Sequence, residues 1–458
     1  MTKAAESIEI TLPDEVPPGW RRTTLGEIGE YINGRGFKKS EWAEQGLPII
    51  RIQNLTGTGK EQNYYDGEID ERNVVNPGDL LISWAATLGA YLWAGPRAAL
   101  NQHIFKVRSF VDKKFHYYLM QHILGDLYRQ THGSGMVHIT KSKFDSMPIV
   151  VPETEYQQKR IVAEIEKQFS RLDEAVANLK RVKANLKRYK ATVLKTAVEG
   201  RLIETEAEVA RREGRSYETG EQLLQRILET RRSQWQGKGK YKEPAAPDTA
   251  DQPKLPEGWV WTSIESIAFV TKLAGFEYTK FVKYSPDGDL AVIKAENAGP
   301  SGFKRTDFSC VKSSTVSQLT RSQLKSGDLL MVFVGAGTGQ VARVPDDQPY
   351  FLGPNIAMIR VESSEISAPY MEMFLRSPIG NSLALGFAKA VAQPSLSMGT
   401  IRMIPIAIPV LSEQHLIVAE VERRFSILRE TEAQVDANLR RAERLRQAIL
   451  SNAFTGNM

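Results

Sequence analysis

Hydrophobic residues recur every seven positions in two long stretches of the chain. In the first, Ile165, Leu172, Leu179, Leu186 and Val193 form one series, and Val162, Phe169, Val176, Lys183, Lys190 and Ala197 form a second. In the other stretch the series are Val421, Leu428, Val435, Ala442 and Ile449, with Val418, Phe425, Glu432, Leu439, Arg446 and Ala453. Heptads sustained over about five repeats predict two coiled-coil helices. Neither stretch is broken by proline or glycine, and Gly200 and Gly456 stand at matching positions suited to C-terminal caps. About 40 residues at 1.5 Å rise give each helix a length of roughly 60 Å.

The segments ahead of the two helices also match each other. Pro17-Pro18-Gly19-Trp20, followed by Thr23, Leu25 and Ile28, corresponds to Pro256-Glu257-Gly258-Trp259, followed by Thr262, Ile264 and Ile267. Pro77-Gly78-Asp79-Leu80-Leu81-Ile82 corresponds to Ser326-Gly327-Asp328-Leu329-Leu330-Met331, in each case a turn running into a buried strand. Met147-Pro148-Ile149-Val150-Val151-Pro152 corresponds to Ile404-Pro405-Ile406-Ala407-Ile408-Pro409, a short strand fenced by prolines. The period, about 250 residues, marks duplication of a whole domain-plus-helix unit. The fold class is therefore α+β: two globular α/β domains joined by two long helices, with pseudo-twofold duplication. The boundaries fall at 1–153 and 255–410 for the domains, 154–202 and 411–458 for the helices, and 203–254 for a connector. Within the connector, 219–235 reads as a short helix, with capping-box spacing at Thr219 and Gln222 and an apolar face of Leu223, Leu224, Ile227 and Leu228.

Charge orients the helices. The net charge is +6, yet 159–201 alone holds 12 Lys and Arg against 5 Asp and Glu, so the basicity is a stripe. Seven basic residues and no acid occupy 180–195, while 413–436 holds six acids and three arginines. Antiparallel pairing sets these halves together and brings Lys183 towards Glu432; parallel pairing would bury Glu432 against Val176 without a partner. Lys183, Arg188 and Lys190 face either the partner helix or a polyanion.

Several chemistries find no support. The single cysteine, Cys310, excludes a disulfide framework within the chain and a cysteine-based zinc site. His103, His116, His122, His132, His138 and His415 show no metal-ligand spacing. Phe333-Val334-Gly335-Ala336-Gly337-Thr338-Gly339 reads as a strand–turn–strand, its third glycine one place early for a dinucleotide-binding turn. Gly57-Thr58-Gly59-Lys60 lacks the spacing of a phosphate-binding loop, and no Asn/Asp-Pro-Pro-aromatic tetrapeptide of an amino-methyltransferase is present. No run of 18 apolar residues occurs and the first 18 residues carry no apolar core, so a cytoplasmic chain without a membrane span is expected.

This order of elements resembles the specificity subunits of type I restriction–modification enzymes. Residues 12–20 and 255–259 are similar to the family's Leu-Pro-x-Gly-Trp starts. The helix entries near Gln157 and Gln414, the helix end Ala197-Val198-Glu199-Gly200-Arg201-Leu202 and the segment 224–243 match as well. The resemblance implies that each globular unit is a target recognition domain reading one half of a split DNA site, with an antiparallel coiled coil fixing the spacer. It implies no catalysis by this chain, no cofactor in it, and partnership with two modification subunits, which carry S-adenosylmethionine, and with restriction subunits. A coiled-coil scaffold that binds protein without reading DNA is the alternative, and a methyltransferase with a fused recognition domain is a weaker one.

Candidate DNA contacts are Arg, Lys, amide and hydroxyl side chains on loops. In the first domain these are Arg35, Lys38 and Lys39, then Arg51, Gln53 and Asn54, then His138, Lys141 and Lys143. In the second they are Lys272, Tyr278 and Lys280, then Lys294 and Asn297, then Lys389, Gln393 and Ser395.

Overall fold

The computed structural model describes residues 15–59, 61–84, 87–130, 141–237, 239–250, 252–306, 308–386 and 395–456. The chain divides into two compact units, Met1–Arg181 with Gln434–Met458, and Val182–Ala433. The long helices are Glu155–Val198 and Leu411–Phe454, and each contributes one part to each unit. Both end as the glycines require: Gly200 and Gly456 adopt left-handed φ values of 64° and 78°. Arg201 N–H donates to the Thr196 carbonyl at 2.9 Å, satisfying a carbonyl the helix end would leave open.

The first unit opens with a ribbon in which Trp20–Thr24 pairs antiparallel with Pro148–Pro152. An antiparallel sheet follows, in the order Gly29–Asn33, Ile104–Ser109, Leu80–Ser83, Gly89–Leu92. A second sheet has the order Tyr64–Tyr65, Leu47–Ile50, Ala98–Leu100, Val74–Val75, and its two central strands run parallel. Leu25, Ile28, Tyr31, Phe105, Phe115 and Phe144 share one buried cluster with Ile165, Phe169, Ile449 and Phe454 of the long helices.

The second unit repeats this plan and adds a short hairpin in which Ala298–Gly299 pairs with Gly302–Phe303. Val260–Ser263 pairs with Pro405–Ile408. The antiparallel sheet runs Ala268–Lys272, Ile356–Val361, Leu329–Val332, Val341–Arg343. The second sheet runs Ser309–Val311, Leu290–Ile293, Tyr350–Leu352, Gln323–Leu324, again with a parallel central pair. The glycine-rich 333–339 segment is the turn between Leu329–Val332 and Val341–Arg343, as its spacing predicts.

Equivalent glutamines fasten each long helix to its unit. Gln158 accepts a hydrogen bond from the Asp112 N–H at 2.9 Å and donates to the Pro152 carbonyl at 3.2 Å. Gln414 accepts from the Ser367 N–H at 2.8 Å and donates to the Pro409 carbonyl at 2.9 Å. The partner of Gln414 is thus Gln158 and not Gln157, because the buried face of the helix selects the residue one step on.

Within each unit the long helices pack antiparallel. In the first, the Arg446 guanidinium lies 4.0 Å from the Phe169 ring centre and pairs with Asp173 at 2.7 Å. In the second, Val193 and Ala197 share a cluster with Ile417 and Val421. Glu432 pairs there with Lys190 at 2.6 Å, not with Lys183. Both lysines occupy the same heptad series, so charge fixes the orientation but leaves the register one heptad open. Along the second helix Val421, Leu428, Val435, Ala442 and Ile449 are all buried, whereas Leu172, Val176, Leu179 and Leu186 of the first are half-buried. A two-helix seam covers one side of each and no more.

The connector holds two helices. Gly220–Ser233 is capped as expected: Thr219 N–H donates to Gln222 Oε1 at 2.9 Å, and Gln222 N–H returns to Thr219 Oγ1 at 3.3 Å. Its Leu223 and Ile227 enter the core of the second unit beside Trp259. Gly220 allows this approach, since a Cβ there would meet the Ile408 carbonyl oxygen at 2.5 Å. Glu206–Glu213 was not foreseen, although Thr205 and Glu208 form a capping box readable in the sequence. Among the described residues no helix is long and apolar enough to cross a membrane.

Candidate nucleic-acid interface

Parallel strands place their carboxyl ends at one edge, so the loops that follow them emerge side by side. In the first unit the pair Leu47–Ile50 and Ala98–Leu100 sends out residues 51–54 and 101–103. In the second the pair Leu290–Ile293 and Tyr350–Leu352 sends out 294–297 and 353–355. Each first loop is folded by the same device. Arg51 N–H donates to Asn54 Oδ1 at 2.9 Å, and Lys294 N–H donates to Asn297 Oδ1 at 2.8 Å. Five sequence-predicted residues, Arg51, Gln53, Asn54, Lys294 and Asn297, therefore occupy two equivalent turns.

Their surroundings differ. The Arg51 guanidinium stands 5.5 Å from the Trp42 ring centre, with Nη1 donating to Asn63 Oδ1 at 3.4 Å. Asn54 is half-buried and donates to Gln62 Oε1 at 3.3 Å. Lys294 donates to Ser309 Oγ at 2.7 Å and lies 4.8 Å from the Tyr284 ring centre. Asn297 is buried at 2% exposure. Its Nδ2 donates to Thr306 Oγ1 at 2.9 Å and to the Lys304 carbonyl at 3.3 Å. With both ends of its amide engaged, Asn297 closes the loop and presents nothing to a base, contrary to expectation.

The neighbouring loops add cations held against rings. Arg35 pairs with Glu41 and sits between Phe37 and Tyr65, 5.1 and 4.7 Å from their ring centres. A hydrogen bond with Tyr65 raises its pKa above the already high arginine value. Lys38 and Lys39 are exposed beside it, and Gln53 is half-buried. Lys141 pairs with Asp145 at 2.5 Å on a short helix that also carries the exposed Lys143. In the second unit Lys272 lies 5.1 Å from the Phe333 ring centre and Lys280 5.0 Å from that of Phe281. The Tyr278 hydroxyl donates to that of Tyr284 at 3.5 Å, and burial raises the Tyr284 pKa. Ser395 forms a bridge with Val334. His138, Lys389 and Gln393 lie outside the described residues.

Sequence reasoning missed the second loop of each pair. In the first unit, Phe37, Trp42, Arg51, Gln53, Gln102 and His103 line a cleft of about 260 Å³. A polar triplet between two apolar runs, Asn101-Gln102-His103, was the available signal. The exposed Phe276 and Tyr284 of the second unit were likewise not singled out together. His116, by contrast, belongs to the core: it bonds Tyr31 at 2.8 Å and Ser109 at 3.0 Å, and burial pushes its pKa down to about 3. No cluster of His, Cys, Asp and Glu suited to a metal occurs among the described residues.

Residues 17–188 match the family described as the type I restriction modification DNA specificity domain. Over 96% of its length the chain is 25% identical to the type I restriction enzyme EcoBI specificity subunit of Escherichia coli, covering 86% of that protein. It is 19% identical to the MjaVIII specificity subunit of Methanocaldococcus jannaschii, over 97% of this chain and 94% of that one. A solved structure, described as the basis of complex assembly and conformational transition of the type I R-M system, shares the fold with a TM-score of 0.58 at 17% identity. It covers 97% of this chain and all of its own.

Proposed function

We propose that this chain is a specificity subunit of a type I restriction–modification system and that each of its two units reads one half of a split DNA sequence. The observation that supports this most is the repeated loop pair at the carboxyl edge of the parallel strands. In each unit that edge carries a basic residue, Arg51 or Lys294, on the same hydrogen-bonded turn. Cations and amides on rigidly based loops suit phosphates and base edges. The antiparallel helices set the gap between the half-sites. This chain supplies recognition alone, while two modification subunits provide S-adenosylmethionine and methyl transfer, and restriction subunits complete the complex.

Co-expression with the modification subunit, followed by genome-wide mapping of adenine methylation, tests the reading. A split motif with a fixed gap is expected. A short unsplit motif would leave one unit without a reading role, and an absence of methylation would favour a scaffold.

A further inference from the structure

The cleft of the first unit is built for base edges in a way its counterpart is not. One arginine and two glutamines, Arg51, Gln53 and Gln102, line it between the aromatic faces of Phe37 and Trp42. The Gln102 amide nitrogen lies 3.2 Å from His103 Nε2, and its N–H donates there. The imidazole proton then sits on Nδ1, a buried atom with no hydrogen-bond partner among the described residues. Leaving such a donor unpaired is unfavourable, so the 101–103 turn is incompletely bonded in the free protein. At the equivalent place the second unit has Gly353, Pro354 and Asn355, with Asn355 in the left-handed region at φ 64°. The frames coincide here: Trp84 N–H donates to the His103 carbonyl and Phe333 N–H to that of Asn355, at 3.3 and 3.2 Å. The difference lies in the side chains and in the left-handed backbone of Asn355, which His103 does not share.

We propose that this cleft determines specificity at two positions of the half-site read by the first unit, with Arg51 facing a guanine and Gln102, braced by His103, facing an adenine in the major groove. Arginine matches O6 and N7 of guanine, and glutamine matches N6 and N7 of adenine. At the place of Gln102 the second unit has Pro354, which offers no side-chain donor, so this adenine contact has no counterpart there. The proposal rests on the half-site reading above and adds which residues perform it.

The test uses the complex with the modification subunit and maps methylation for the wild type, Arg51→Ala, Gln102→Ala and Gln102→Glu. The wild-type motif tests the half-site reading by itself: an unsplit motif defeats that reading. Given a split motif, Gln102→Ala is expected to relax one adenine position, discrimination there falling about tenfold or more, with the other half-site unchanged. Arg51→Ala should relax a guanine position of the same half-site. Gln102→Glu, which preserves shape, should shift preference towards cytosine, whose N4 donates to a carboxylate. A split motif left unchanged by all three variants would overturn the cleft assignment alone. So would relaxation in the other half-site, or loss of all methylation by a complex that still assembles.

Discussion

In the first unit the strand Ala98–Leu100 runs into Asn101, Gln102 and His103; in the second its counterpart Tyr350–Leu352 runs into Gly353, Pro354 and Asn355. The strands pair identically on either side of this difference. Residues that carry the sheets and the helix entries, such as Gln158 and Gln414, are held by the same bonds in both units. Asn101, Gln102 and His103 belong to no buried cluster, so their side chains can differ between the units without cost to the core. A second difference lies in the core itself. Each core takes in the end of a long helix, Ile449 to Phe454 in the first unit and Val193 to Val198 in the second, but the second also takes Leu223 and Ile227 from the connector.

The largest expected effect follows from that. Leu223→Ala should destabilise the second unit by about 2–5 kcal/mol, the range for truncating a fully buried leucine. The first unit should be unaffected, since Leu223 is not in its core. Limited proteolysis along a urea series, with fragments assigned by mass, separates the two. Equal loss in both units would mean that they unfold together and that the comparison has no energetic meaning.

Acid should split the units next. His116 is fully buried and its pKa is held at about 3, while in the unfolded chain it titrates near 6.5. The unfolded state then binds a proton the folded state refuses, so stability is lost as pH falls below about 6.5 and continues to fall towards 3. Near pH 5 the loss in the first unit is about 2 kcal/mol relative to pH 7. The second unit has the buried Met371 at the matching place. Its buried carboxyl, Glu413, behaves oppositely. Burial raises its pKa, partly offset by hydrogen bonds from Trp259 Nε1 and the Glu206 N–H. Its favourable contribution is present below its ordinary 4.5 and lost as pH rises through the raised value. The same urea series at both pH values should show the first unit weakening on acidification and the second not. His116→Met should abolish the acid loss; its persistence would assign the effect to other groups.

These contrasts show what the sequence could reveal. The heptads, the terminal glycines, the proline-fenced strands and the Thr219 capping box are local patterns, and each predicted its element. The recognition cleft is not local. Arg51 and Gln102 lie about a third of a domain apart in sequence and meet because two short strands pair in parallel, which no turn signal announces. Asn297 was misjudged for a related reason. An amide that closes its own loop has the same composition as one that reads a base, and its burial alone tells them apart.

The coiled coil gives the smallest and sharpest comparison. In the first unit the inter-helix cation is Arg446, stacked on Phe169 and paired with Asp173. In the second it is Lys190, paired with Glu432 and half-buried with it. Glu432→Lys sets two like charges face to face and should cost the second unit about 1 kcal/mol. Lys190→Glu in the same chain restores opposite signs and should recover most of the loss. Lys183→Glu should not, because Lys183 lies one heptad from the position that meets Glu432. Rescue by Lys183→Glu in its place would shift the helices by seven residues and return the pairing that charge pattern alone suggests. Failure of both would mean that the apolar contacts of Val193 and Ala197 with Ile417 and Val421 set the register, and that the ion pair merely follows it.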